Sequence, residues 1–333
     1  MNLKVAGVLL RLLVSVACIG AMMWWVGPDL IVSHLRRVGA ASFCLSALLI
    51  LLLAIPHALR WRIINQVSGA DRSVGWTLRG VLLGQFFNQL LPSMIGGDVA
   101  RAWYAARGGV PLAAAIRSVL IDRVCGAVVT LLLSVCVLPL WFQLPGGRPL
   151  AWTIAVLGVA GFSGLALMMV IDRLLVSRGS IEPSHALPHR VFWRLVGQVI
   201  ELGPMARAAL TRLLVLFYSA LALAATISLF YLDARLLGLD IGPLALIMGI
   251  PPTIAIAMVP ISFAGWGIRE GVLIAVLHPL GVPADAALAL SVLYGLTVSV
   301  AAAVAGGLSA LSGGARWLSL RPRAFDDAQA KLE

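Results

Sequence analysis

The sequence predicts an all-α polytopic membrane protein, and three observations carry that reading. Its 333 residues are 61% hydrophobic and only 12% charged, against roughly 25% charged in a soluble domain. Apolar runs of about 20 residues, the length that crosses a hydrocarbon core, recur along the chain. Two stretches, residues 91–101 and 260–270, interrupt apolar sequence with Pro and Gly and then place charged residues after the break. Together these predict about six full transmembrane helices plus two re-entrant broken-helix segments, related as an inverted repeat.

Residues 5–26 form the first expected span, ending in the interfacial pair Trp24-Trp25 and the stop Gly27-Pro28. The second, 40–59, closes on Arg60, Trp61 and Arg62, with His57 beside Pro56 as an interfacial residue. Segment 76–91 then leads into the first break. The third span is 112–138, and the fourth, 151–171, follows the turn-rich Pro145-Gly146-Gly147-Arg148-Pro149. In the hydrophilic stretch 172–209, Val191, Phe192, Leu195, Val196, Val199 and Ile200 recur at helical spacing. This amphipathic helix, about 189–202, lies on the membrane surface or links two spans. The fifth span is 211–232. A broken stretch, 243–278, contains Pro251-Pro252 and Pro260, with His278 at its end, and the last span is 284–311. Residues 1–314 thus form one integral membrane domain, and 315–333 a polar cytoplasmic tail.

The net charge is +11. The Arg residues are scattered between apolar runs, with no basic tract interleaved with aromatics, so nucleic acid is excluded as a partner. Positive loops are what membrane orientation demands. If segment 76–91 leaves on the side it entered, only Arg36, Arg37, Arg148, Arg235 and Arg269 fall outside. Both termini are then cytoplasmic, in what reads as a bacterial inner membrane. All basic residues except Lys4 and Lys331 are Arg, whose fork suits phosphate oxygens but also follows from a GC-rich genome. Cys18, Cys44, Cys125 and Cys136 lie in apolar segments without metal-ligand spacing and read as small buried hydrophobes. No metal or cofactor is expected.

The two breaks share one spacing, with Pro, then Gly five residues on and Arg nine on, 168 residues apart. The same shift lays the second span on the fifth and the third on the last. This defines inverted halves of about 40–139 and 208–307, an arrangement of many secondary transporters. Backbone N–H groups at such breaks make anion sites. Gly96, Gly97, Gly265 and Gly267 are therefore candidate phosphate donors, with Arg101 and Arg269 supplying charge. Asp98 and Glu270 hold those Arg residues, or bind an amine or a coupled proton. The plainer alternative for Asp98 and Arg101 is an i,i+3 pair at a helix start. Asp122 and Arg123, costly inside a membrane, either line the cavity as gating or coupling groups or pair with Arg101 and Asp98. Gln85, Asn88 and Gln89 recur at helical spacing and line the same cavity or bond neighbouring helices.

Leu91-Pro92-Ser93, then Gly96-Gly97-Asp98 and Arg101, then Asp122-Arg123 with Gly126, resemble the lysylphosphatidylglycerol synthase transmembrane-region family. Pro260, Ala264, Gly265, Trp266, Gly267 and Glu270 resemble its second signature, with Ala264 where Gly is commoner and Trp266 bulkier than usual. The resemblance implies a flippase-like domain handling anionic, aminoacylated or polyprenyl-linked lipids. Full-length synthases carry a cytosolic aminoacyl-transfer domain, and the chain ends at Glu333, so lipid aminoacylation by it alone is not expected. The leading expectation is a lipid translocator. No Gly-x-x-x-x-Gly-Lys-[Ser/Thr] loop exists for direct ATP use. The alternatives are a non-transporting partner of a lipid- or glycan-modifying enzyme, and a membrane glycosyl or lipid transferase, for which only Asp326-Asp327 forms an adjacent acid pair.

Overall fold

The computed structural model describes residues 24, 28–67, 70–90, 95–177, 209–257 and 266–309. The first span apart from Trp24, motif residues 91–94 and 260–265 (Gly265 included), the 189–202 helix and the tail lie outside the described residues. Every regular element within them is helical, as the composition requires.

A short α1 (Pro28–Leu35) precedes α2 (Ala40–Leu52) and α3 (Ala54–Val67). These two make one long rod with a turn at Leu53. The cause is Pro56, which has no N–H to return to the Leu52 carbonyl. The rod ends at Val67, not near residue 59, so Arg60 and Trp61 are interior residues rather than a charged boundary. Residues 61–67 contain no Gly or Pro, and the helix continues because nothing stops it. His57 likewise lies within α3 rather than at a span end.

α4 (Val74–Leu90) and α5 (Gly96–Arg107) form an antiparallel hairpin. Arg72 Nη2 donates to the Gly108 carbonyl at its open end, Gly84 meets Arg101 halfway, and Gly97 meets Asn88 at its tip. α6 (Leu112–Cys136) continues through Val137 into α7 (Leu138–Gln143), and α8 (Arg148–Ser177) follows. α9 (Ala209–Leu236) leads to α10 (Pro243–Ala257) and α11 (Ile268–Leu277), a second packed pair. A 3-10 turn, His278–Leu280, precedes α12 (Ala284–Ser309). Pro251 and Pro252 sit inside α10 and do not interrupt it; the helix runs on through Ala257.

Among the described residues four rods are long and apolar enough to cross a bilayer: Ala40–Val67, Leu112–Gln143, Thr211–Leu236 and Ala284–Ser309. The expected fourth span lies within α8. The outer faces carry Leu45, Leu48, Leu213, Leu216 and Phe217, a surface that hydrocarbon solvates. Cys44 and Cys136 are on that exposed side too, rather than buried. Inside, small residues let helices approach closely. A Cβ at Gly306 would lie 2.5 Å from the Phe86 ring, and one at Gly80 2.5 Å from the Trp61 ring.

The order long rod, short pair, long rod occurs twice. The two pairs open at opposite ends of the α2–α3 rod. The first opens beside Val67, where residues 70–74 and 108–112 meet. The second opens beside the Ala40 end, where Arg37 reaches Gly238 and His34 reaches Asp285. A gapless shift of 168 does not hold throughout. Helix starts Val74 and Pro243 are 169 apart, but Gly96 and Ile268, and Leu112 and Ala284, are 172 apart. In that register the third residue of α5, Asp98, matches the third residue of α11, Glu270, so each second helix begins with an acid at its positive dipole end.

Candidate functional site

The tip of the first hairpin is built for close approach. A Cβ on Gly97 would lie 2.3 Å from the Gly84 carbonyl oxygen, and one on Gly84 2.8 Å from Arg101 Cδ. Only glycines let α4 and α5 meet closely enough to fold the Arg101 side chain between them. Asn88 Oδ1 accepts the Gly97 N–H at 2.8 Å and so caps the start of α5. That N–H is therefore taken, which corrects the expectation that Gly97 offers it to a phosphate. Gly96 is buried in the same turn. Gln85 Oε1 is buried without a hydrogen-bond partner among the described residues, and Gln89 lies on the same helix, partly buried.

Beneath the tip, three Arg and two Asp side chains interlock. Asp122, on α6, is 2% exposed; its Oδ1 accepts Arg60 Nε at 2.6 Å and its Oδ2 faces Arg101 Nη1 at 2.9 Å. Asp98 Oδ2 pairs with Arg123 Nη1. Its other oxygen is 3.9 Å from Arg101 Nη1, so the i,i+3 contact is secondary to the cross-helix pairs. Arg60 Nη1 also donates to Ser219 Oγ on α9 at 3.0 Å, and Nη2 lies 3.3 Å from His57 Nδ1. Gly126 leaves room for the Arg60 fork, since a Cβ there would be 3.3 Å from Nη1. The Arg101 guanidinium lies 4.4 Å from the Trp61 ring centroid, a cation–π contact. Trp61 is fixed by Ser118 Oγ and stacks on Trp76.

Two features of this cluster bear on binding. Three guanidinium and two carboxylate groups leave one positive charge over. Arg101 Nε and Nη2 are both buried and have no hydrogen-bond partner among the described residues. Unmet donors on a cation in a dry interior are expensive, and an anion would satisfy both.

The second pair carries a smaller cluster. Arg269 is held between the Trp266 and Tyr294 rings, 4.8 and 5.5 Å from their centroids. Its Nε reaches Glu270 Oε1 and Ser291 Oγ, each at 3.0 Å. Gly267 has φ 89° and donates its N–H to Glu270 Oε2, half of a capping box. Here too the N–H expected to face a phosphate is occupied, and one acid neutralises one base. A Cβ on Gly295 would lie 2.3 Å from Arg269 Nη2, so that glycine clears space for the guanidinium.

The structure thus joins Arg101, Asp98, Asp122 and Arg123 in one cluster and Arg269, Gly267 and Glu270 in another. Arg60, Ser219 and Ser291 complete them but were hidden in the sequence. Between α6, α9 and α10 lies an apolar groove of about 600 Å³, lined by residues such as Leu132, Leu223, Ile227 and Leu246. Among the described residues no three His, Cys, Asp or Glu side chains are placed to hold a metal.

A family model described as the lysylphosphatidylglycerol synthase TM region matches residues 8–306. A UPF0104 membrane protein of Methanocaldococcus jannaschii is 28% identical over 156 residues, 46% of this chain and 46% of that protein. The alignment therefore spans about half the length of that relative.

Proposed function

Because this chain belongs to the lysylphosphatidylglycerol synthase transmembrane-region family, we propose that it translocates an anionic, aminoacylated or polyprenyl-linked lipid between leaflets without direct use of ATP. The observation that carries this is Arg101: a buried guanidinium with two donors unmet among the described residues, in a cluster with one positive charge in excess. A phosphodiester carries one negative charge and oxygens that match an Arg fork. In this reading the headgroup enters beside Arg101, and the tails stay in bilayer or in the apolar groove.

The two short pairs are re-entrant segments opening on opposite leaflets, and the halves are inverted. Asp98, Asp122 and Arg123 gate the first opening by exchanging partners when a phosphate takes Arg101, and Glu270 holds Arg269 at the second. Asn88 and its neighbours Gln85 and Gln89 shape the polar floor. The protein itself forms and breaks no covalent bonds in this account. The positive-inside rule puts both termini in the cytoplasm of a bacterial inner membrane.

The test is reconstitution into liposomes with headgroup-labelled anionic lipids, lysyl-lipids and prenyl phosphates. Wild type is expected to equilibrate at least one of them across the bilayer, and Arg101→Ala to slow it about tenfold or more, the loss of one charged hydrogen-bonding partner being worth roughly 1.5–3 kcal/mol. Movement no faster than in protein-free vesicles for all three would overturn the proposal and leave a non-transporting partner role.

A further inference from the structure

The interior acids of the two clusters all face guanidinium groups. Asp233 does not. It lies in the last turn of α9, is 0% exposed, and accepts the Ser46 hydroxyl of α2 on Oδ1 at 2.6 Å. Its Oδ2 is buried without any hydrogen-bond partner among the described residues. Among the described residues the helices packed on α9 bring it no cation, and Arg37, in the turn after α1, reaches Gly238 beyond the end of α9 rather than the Asp233 carboxyl. α10 has no titratable residue, and α2 offers only Ser46, since Cys44 is on the exposed side. On α12, Tyr294 is within electrostatic reach of both Asp233 and Arg269, and Asp285 is bound to His34 of α1. On α3 and α6, Arg60, Asp122 and Arg123 belong to the first cluster, while Arg62, bound to the Arg72 carbonyl, and Arg117 lie toward the opposite, Val67 end of the rods. Arg235, two residues on along α9 itself, is exposed and paired with Asp240. An ionised carboxylate with neither cation nor full hydrogen bonding is costly in such a place, and burial favours the carboxylic acid.

We propose that Asp233 is a proton-binding site, fixed by Ser46, whose protonation admits an anionic headgroup to the Arg269–Glu270 cluster. That cluster is electrically balanced only while Asp233 is neutral. Phe230, one turn before Asp233 on α9, stacks on Tyr294, whose ring Arg269 also meets, so losing the proton adds a negative charge beside that cluster, which repels an incoming phosphate. Proton and phosphodiester anion are then bound together and released together, one each, so the pair moves without net charge. The α2–α9 contact lies at the end where α1 and the open side of the second short pair meet, and the proton reaches Asp233 from there. This coupling rests on the translocation proposed above; the protonation of Asp233 does not.

Two readouts separate those claims. Infrared spectra of wild type reconstituted in lipid at pH 5 should contain a protonated-carboxyl carbonyl band that shifts in heavy water. Asp233→Asn should remove it, and Ser46→Ala should move it to higher frequency by deleting its hydrogen bond. A spectrum unchanged by Asp233→Asn overturns the site, whatever the lipid does. Asn reproduces the shape of the neutral acid, and folding is confirmed by an unchanged unfolding midpoint. In vesicles with one pH unit across the membrane, wild type should accumulate a labelled phosphodiester lipid about tenfold toward the alkaline leaflet, irrespective of an imposed potassium diffusion potential. Asp233→Asn should equilibrate it to a ratio near one, and an undiminished tenfold ratio in that variant refutes the coupling. If wild type moves no lipid, the translocation reading fails and the infrared band still decides Asp233.

Discussion

Replacing Asp122 by Asn removes the single carboxylate that faces two buried guanidinium groups, Arg60 at 2.6 Å and Arg101 at 2.9 Å. Breaking a buried pair by neutralising one partner costs about 3–5 kcal/mol, and a lone cation in a membrane interior about 2.5–3.5 kcal/mol on insertion scales. The Asn carbonyl keeps one hydrogen bond, worth roughly 1 kcal/mol. The expected loss is therefore about 3 kcal/mol, close to a hundredfold in the folding equilibrium. Denaturing-detergent titration in mixed micelles, followed by Trp fluorescence, measures it directly, because Trp61 stacks on Arg101 inside the same cluster. Asp98→Asn is the matched control. Its carboxylate and its partner Arg123 are 17% and 29% exposed, and partly solvated pairs contribute about 1 kcal/mol or less. If Asp122→Asn costs under 1 kcal/mol, or less than Asp98→Asn, the cluster is not the buried lock described here.

Two smaller perturbations probe the hairpin tip. Gly84→Ala would place a methyl group 2.8 Å from Arg101 Cδ and 3.2 Å from the Gly97 carbonyl oxygen. Overpacking of that kind costs about 1–3 kcal/mol, and the same titration should show it together with slowed lipid movement. Asn88→Ala strips the Gly97 N–H of its acceptor, for an expected loss of about 1–3 kcal/mol. Hydrogen exchange at Gly97 should accelerate in Asn88→Ala and stay slow in Asn88→Asp.

The membrane class and the places where helices break were legible because they depend on local chemistry: apolar runs, Pro and paired Gly. Asp98, Arg101, Asp122 and Arg123 stood out because ions near apolar sequence are conspicuous. Arg60 was not legible. Hydropathy ends a span where charge begins, yet the charge on Arg60 is cancelled by Asp122, 62 residues later in the chain. Pro251 and Pro252 misled in the opposite sense, since a helix tolerates them where neighbouring groups cover the freed carbonyls. The phosphate-facing N–H groups assigned to Gly97 and Gly267 went instead to Asn88 and Glu270, residues whose side chains fold back onto their own hairpins. Asp233 was masked by Arg235, two positions away, which made the end of its span look like an ordinary charged boundary.

Polar links between the rods α2–α3 and α9 include Ser46 to Asp233 and Arg60 to Ser219. Fourteen residues separate the links on either rod, about 21 Å of helix, and Leu53 with its turn sits midway between Ser46 and Arg60. An interruption of the helix at the midpoint of a doubly pinned seam makes it a pivot. One link can part while the other stays closed, as a latch at each end of a shared hinge would. Spin labels spanning the seam near each link should then report distances that change one at a time, never both together.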